Sequence, residues 1–197
     1  MILTKAIQLE AANWLGCKSG QKCLTEIRRL YNEKSITNDA WCALFVWTMT
    51  NEACKKLGVS NPLKQTKSTA VMLSEAKKTL RTDNTPSKGS VFYTTRTGGG
   101  HVGFVLNVEG NKFYTIEGNT TNSSGEYGVF EKTRDTKTKD YQFIHLEDLD
   151  TFENNIFAPL QFDLELIIAD PRSYISAGIL LAGGFIAYKI YKTQRRH

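Results

Sequence analysis

The pattern of this chain changes character once, at Pro86-Ser87-Lys88-Gly89. Before that turn, apolar residues recur at helical spacing; after it, they alternate. Leu3, Ile7, Ala11 and Trp14 share one face of a helix expected over 2–14, which Gly16 ends. Leu24, Ile27 and Leu30 do the same over Lys22 to Tyr31. Asn38-Asp39, either of which could cap a helix, precede a third one from about Trp41 to Leu57, stopped by Gly58. Thr69 to Thr79 reads as a fourth. Past the turn, Val91-Phe92-Tyr93 is a strand, and Val102, Phe104, Leu106 and Val108 alternate along the next. Glu109-Gly110-Asn111 turns into a strand from Lys112 to Glu117, and Tyr127 to Lys132 and Tyr141 to Leu146 complete a small antiparallel sheet. Thr94 to Gly100, with three glycines, reads as a flexible loop. Helices first and strands afterwards imply an α+β domain.

The charge balance excludes one class of partner. The 197 residues carry a formal net charge of +5. Lys189, Lys192, Arg195 and Arg196 crowd the C-terminus, no acid follows Asp170, and without those four the net charge falls to +1. A basic tail on a near-neutral body does not indicate a nucleic-acid surface. Ahead of the tail, Tyr174 to Tyr191 is apolar except for Ser176 and Lys189, with tyrosines at both edges. Its length, aromatic edges and basic flank predict a transmembrane helix. The expected division is therefore a domain over 1–146, a stalk over 147–173, a membrane helix over 174–191 and a basic tail over 192–197. The apolar run a secretory signal needs is not seen at Met1 to Glu10.

Four cysteines, Cys17, Cys23, Cys42 and Cys54, form no CxxC pair, and the three histidines lack zinc spacing, so no metal or other cofactor is expected. The spacing permits a Cys17–Cys23 disulfide without requiring one. Setting Cys42 aside leaves an odd number, which suits synthesis in a reducing compartment. Cys54 reads as a small buried apolar residue.

Trp41-Cys42-Ala43-Leu44-Phe45-Val46 places Cys42 at a helix start, where first-turn N–H groups and the positive dipole end favour thiolate. His101 opens an apolar strand in His101-Val102-Gly103-Phe104-Val105. Glu117 and Asn119, two apart in Ile116-Glu117-Gly118-Asn119, would face the same side of a strand and could orient an imidazole through its distal nitrogen. A thiol nucleophile needs a base and the base an orienting group, and the order Cys, His, Glu/Asn supplies all three. Gly103, lacking a side chain, would let a backbone or substrate pass close to His101.

Trp-Cys-Ala-x-Phe-Val followed by Gly-His-Val-Gly resembles the CHAP family (cysteine, histidine-dependent amidohydrolase/peptidase) over roughly residues 1–146. The resemblance implies a papain-like fold, catalysis by Cys42, His101, Glu117 and Asn119 without a cofactor, and cleavage of an amide bond in cell-wall peptide. It implies an endopeptidase or an N-acetylmuramoyl-L-alanine amidase. Many members carry Gly-Asp after the proline turn, where this chain has Gly89-Ser90.

With a C-terminal anchor, these features predict a membrane-bound peptidoglycan hydrolase in a phage virion membrane or host inner membrane, serving lysis or virion entry; a bacterial tail-anchored wall enzyme fits too. Two other readings compete. A lipid-directed thiol acyltransferase of the lecithin–retinol type shares the core but runs histidine before cysteine, whereas here Cys42 precedes His101. A non-catalytic virion or membrane protein on a retired hydrolase fold is disfavoured by the intact Cys, His, Glu, Asn set.

Overall fold

The computed structural model describes residues 2–33, 40–96 and 99–150, which fall in a compact unit from Met1 to Asp150. Four helices come first: α1 (Leu3–Ala12), α2 (Lys22–Leu30), α3 (Cys42–Leu57) and α4 (Thr69–Ala76). Six strands follow: β1 (Thr82–Asp83), β2 (Val91–Arg96), β3 (Gly99–Glu109), β4 (Lys112–Thr121), β5 (Tyr127–Asp135) and β6 (Tyr141–Ile144). They form one antiparallel sheet in the order β1-β6-β2-β3-β4-β5. The α+β class and every expected helix and strand appear, with ends shifted by a few residues.

Two local expectations change. The segment expected to be a loop before His101 is largely strand: Thr94 pairs with His101, Thr95 with Gly100 and Arg96 with Gly99. Cross-strand pairing holds Gly99 and Gly100 in the ladder, although in sequence they signal freedom. The short β1, paired with β6, carries no pattern long enough to read from sequence.

The membrane helix is the larger correction. Among the described residues no helix is long and apolar enough to cross a membrane. The longest, α3, has only 16 residues, and its last two turns carry Asn51, Glu52, Lys55 and Lys56. The expected span at 174–191 lies outside the described residues, as do the stalk beyond Asp150 and the basic tail. A single-pass anchor, a lipid partner and a membrane localisation are therefore withdrawn.

The strand period splits the apolar residues into two cores. Val91, Val102, Phe104, Ile116 and Ile144 join Ile7, Ile27, Phe45, Met49 and Met72 of the helices in one buried cluster. Phe92, Val105, Phe113, Tyr141 and Phe143 form a second. Rings in the second cluster meet edge to face, with Phe113 5.0 Å from Tyr141 and 5.4 Å from Phe143. Within the first, α3 lies against β3 and β4, with Phe45 6.3 Å from Phe104. Truncating a fully buried phenylalanine of this kind to alanine costs about 3–5 kcal/mol.

Two further devices hold the domain. Asp150 accepts from the Thr4 backbone N–H at 3.2 Å and from the Thr4 hydroxyl, in the first turn of α1. The α1 N-cap, Ile2, supplies no side-chain cap, so a carboxylate from the far end of the domain does that work. Cys17 and Cys23 form a disulfide, leaving Cys42 and Cys54 as buried thiols.

Candidate active site

The sequence leads Cys42 into α3 because Ala43 to Val46 are apolar and fully buried against the sheet. The cap position is Trp41, which has no side-chain oxygen to compete for first-turn N–H groups; Asn38 and Asp39 lie outside the described residues. Cys42 is the first residue of α3 and is 1% exposed.

The start of α3 rests on β4 at one point. A Cβ on Gly118 would lie 2.5 Å from Phe45 Cβ and 2.8 Å from Trp41 Cζ3. Only a glycine admits the helix this closely, and the residue before it is Glu117. The helix start that carries Cys42 is thereby fixed beside the strand that carries the carboxylate.

His101 sits in β3 and is 1% exposed. Its Nε2 is 2.8 Å from Glu117 Oε2, and its ring centroid 5.8 Å from that of Phe92. Register explains the pairing. Phe104 faces Ile116 across the ladder, so Glu117 stands beside Gly103 and diagonal to His101. A Cβ on Gly103 would meet Glu117 Cγ at 2.7 Å and Phe92 Cε1 at 2.8 Å. The space left by Gly103 is thus occupied by the Glu117 side chain and the Phe92 ring, rather than by a passing substrate.

Asn119 departs from the expected alternation. The β4–β5 register shifts between Glu117 and Thr120, and Asn119 has φ +57°. A bulge with a left-handed residue breaks the two-residue period, so Asn119 does not stack behind Glu117 as a regular strand would place it. It is Glu117 whose oxygen meets the imidazole.

Glu117 is fully buried, and its two oxygens gather four donors. Besides His101, these are Thr115 Oγ1 at 2.5 Å, Arg134 Nε at 2.5 Å and Arg134 Nη2 at 2.5 Å. Burial alone would raise its pKa; the hydrogen bonds and positive charge from His101 and Arg134 outweigh it and hold the carboxyl down at about 2. Burial likewise works against the Arg134 charge, and contact with Glu117 outweighs it, so its pKa is raised. Arg134 carries no signal in the sequence, while the two-residue spacing of Thr115 and Glu117 could have pointed to Thr115. Only the β4–β5 register, with Phe113 opposite Arg134, brings Arg134 to Glu117, whereas Thr115 stands two residues before Glu117 on the same face of β4.

Two remaining groups lie elsewhere. His145 is buried at the other end of the sheet, with Nδ1 2.6 Å from Glu147 and Nε2 2.9 Å from Asp83. A cavity of about 350 Å³ lined by Lys112, Thr133, Arg134, Asp135 and Tyr141 touches the site only through Arg134. Among the described residues no group of three His, Cys, Asp or Glu side chains is placed to hold a metal ion.

A cysteine at a helix start and a buried imidazole–carboxylate pair on adjoining strands are groups from which thiol-based acyl chemistry can be built. Residues 34–119 match the family model described as CHAP domain. That span contains Cys42, His101, Glu117 and Asn119. No curated protein matches the chain. Solved structures that match include a crystal structure of Ly7917, 16% identical with a TM-score of 0.39, covering 72% of this chain and 61% of that one. A second, of Ly7917 with the hydrolyzing product of MDP, is 17% identical at the same TM-score, covering 72% and 62%. The chain spans about three-fifths of the length of those structures.

Proposed function

We propose that this domain is a cysteine amidohydrolase that cleaves an amide bond in peptidoglycan, as an endopeptidase or an N-acetylmuramoyl-L-alanine amidase. The observation that carries the reading is the buried His101–Glu117 pair, which falls with Cys42 inside the CHAP span. In this reading Cys42 Sγ attacks the carbonyl carbon as its proton passes to His101 Nδ1. The oxyanion of the tetrahedral intermediate lies at the N-terminus of α3, where backbone N–H groups and the helix dipole stabilise negative charge. Collapse expels the amine, which takes the proton from His101, and leaves a Cys42 thioester. Water, deprotonated by His101, then attacks the thioester and releases the carboxylate and the thiol. Glu117 keeps the imidazole oriented and stabilises its charged form throughout. Asn119, set apart by the bulge, serves the shape of the strand end in this mechanism rather than the imidazole.

The test is release of new amino or carboxyl ends from purified peptidoglycan by the full chain and by Cys42→Ser. Serine with the same histidine partner is a far weaker nucleophile, so the variant loses nearly all activity while its fold persists. A variant within twofold of the parent, about 0.4 kcal/mol in barrier, would assign the chemistry to another residue. The new ends identify the bond cut.

A further inference from the structure

We infer that Arg134 is a positioning residue of this site: its guanidinium saturates Glu117 so that the carboxylate can only accept, which obliges His101 to keep its proton on Nε2 and to offer Nδ1 as the base. The inference rests on the reading that His101 is the base for Cys42, and it goes one residue beyond the triad.

The geometry supplies the argument. Arg134 places Nε 2.5 Å from Oε1 and Nη2 2.5 Å from Oε2, a fork on both oxygens at once. Thr115 Oγ1 adds a third donor at 2.5 Å. A carboxylate with its lone pairs so occupied has no proton to give, so the fourth contact, at 2.8 Å, needs an N–H on His101 Nε2. The fork is itself held in place. Its Cζ lies 4.9 Å from the centroid of Phe92, the same ring that lies 5.8 Å from the imidazole. The side chain is 17% exposed, against 0% for Glu117. One aromatic ring therefore backs both the base and the group that orients its carboxylate, and a shift of Arg134 is felt at His101 through Glu117.

A lysine could not substitute freely. It would bring a point charge without the planar fork and without the face that lies on Phe92. A purely structural Arg134, closing the second aromatic cluster, would affect melting but leave the proton chemistry of His101 alone. The charged and titratable groups around the imidazole and its partners come from every neighbouring element. Cys42 stands at the start of α3, Glu117 on β4 and Arg134 on β5, with Tyr141 of β6, Lys112 and Asp135 around the cavity that Arg134 lines.

The experiment compares the full chain with Arg134→Lys, Arg134→Met and Cys42→Ser on purified peptidoglycan across pH, with the ¹⁵N signals of the His101 ring recorded in parallel. Arg134→Met is expected to lose about tenfold or more in kcat with KM within twofold, and to displace the limb of the pH profile that reports His101. Arg134→Lys falls between. In the parent, the ring spectrum shows a proton on Nε2. A folded Arg134→Met that cleaves within twofold with an unmoved pH profile overturns the inference, as does a lysine variant with the full parental rate. An Nδ1-only tautomer in the parent overturns it as well. That measurement needs neither substrate nor a folded methionine variant. Parental activity in Cys42→Ser would instead sink the assignment of Cys42 as nucleophile, leaving the ring spectrum to decide the role of Arg134.

Discussion

Glu117→Gln separates the charge of the buried carboxylate from its shape. In the native protein the carboxyl titrates at about 2, against 4.5 for the ordinary group. A depressed folded-state pKa contributes stability that is present in full above the ordinary value and is lost as pH falls toward the lowered one. The shift corresponds to about 3 kcal/mol at pH 7, of which roughly half is gone near pH 3. Glutamine has no such charge at any pH. It also leaves the Arg134 guanidinium facing a neutral group in a site where only 17% of that side chain is exposed. The variant is therefore expected to be less stable than the parent by about 3 kcal/mol at pH 7, with the gap closing as pH approaches 2. Urea unfolding followed by tryptophan fluorescence at a series of pH values between 7 and 2.5 measures both curves. A gap that stays constant over that range would show that the Glu117 charge contributes nothing to folding and that its burial is not offset as described.

Three other outcomes follow from the same contacts. Cys42 and Cys54 are equally buried at 1% exposure, so any difference in iodoacetamide labelling at neutral pH reflects thiolate character; Cys42 at the helix start is expected to label first, and equal rates by mass spectrometry would contradict that. Gly103→Ala puts a Cβ 2.7 Å from Glu117 Cγ and 2.8 Å from Phe92, so it should displace the His101–Glu117 pair and cut peptidoglycan cleavage by about tenfold or more, whereas unchanged kcat/KM would refute the close packing. Asp150→Ala removes the carboxylate that bonds the Thr4 backbone and hydroxyl, and should cost about 1–3 kcal/mol in thermal unfolding without altering the reaction; an unchanged Tm would count against that staple.

Sequence period and local punctuation determined much of this domain. Helical spacing at Leu3, Ile7 and Ala11, alternation at Val102 and Phe104, and the stop at Gly58 are short-range properties, and α1, β3 and the end of α3 follow them. The same local signals placed Cys42 at a helix start and His101 and Glu117 on neighbouring strands. What they could not carry is register. Whether Glu117 or Asn119 meets His101 depends on which residues of β3, β4 and β5 stand opposite one another, and a single bulge at Asn119 reverses the alternation a regular strand predicts. Arg134 lies seventeen residues from Glu117 and belongs to no motif; only the β4–β5 ladder brings its guanidinium to the carboxylate. Gly103 announced a close approach, but its partner was a neighbouring side chain, which the sequence does not name. The anchor shows the opposite limit, since an apolar run in sequence is only a composition until a helix of spanning length is seen, and none is present among the described residues. Composition and period act within one element, whereas the proton chemistry of His101 is set by side chains that three strands place around it.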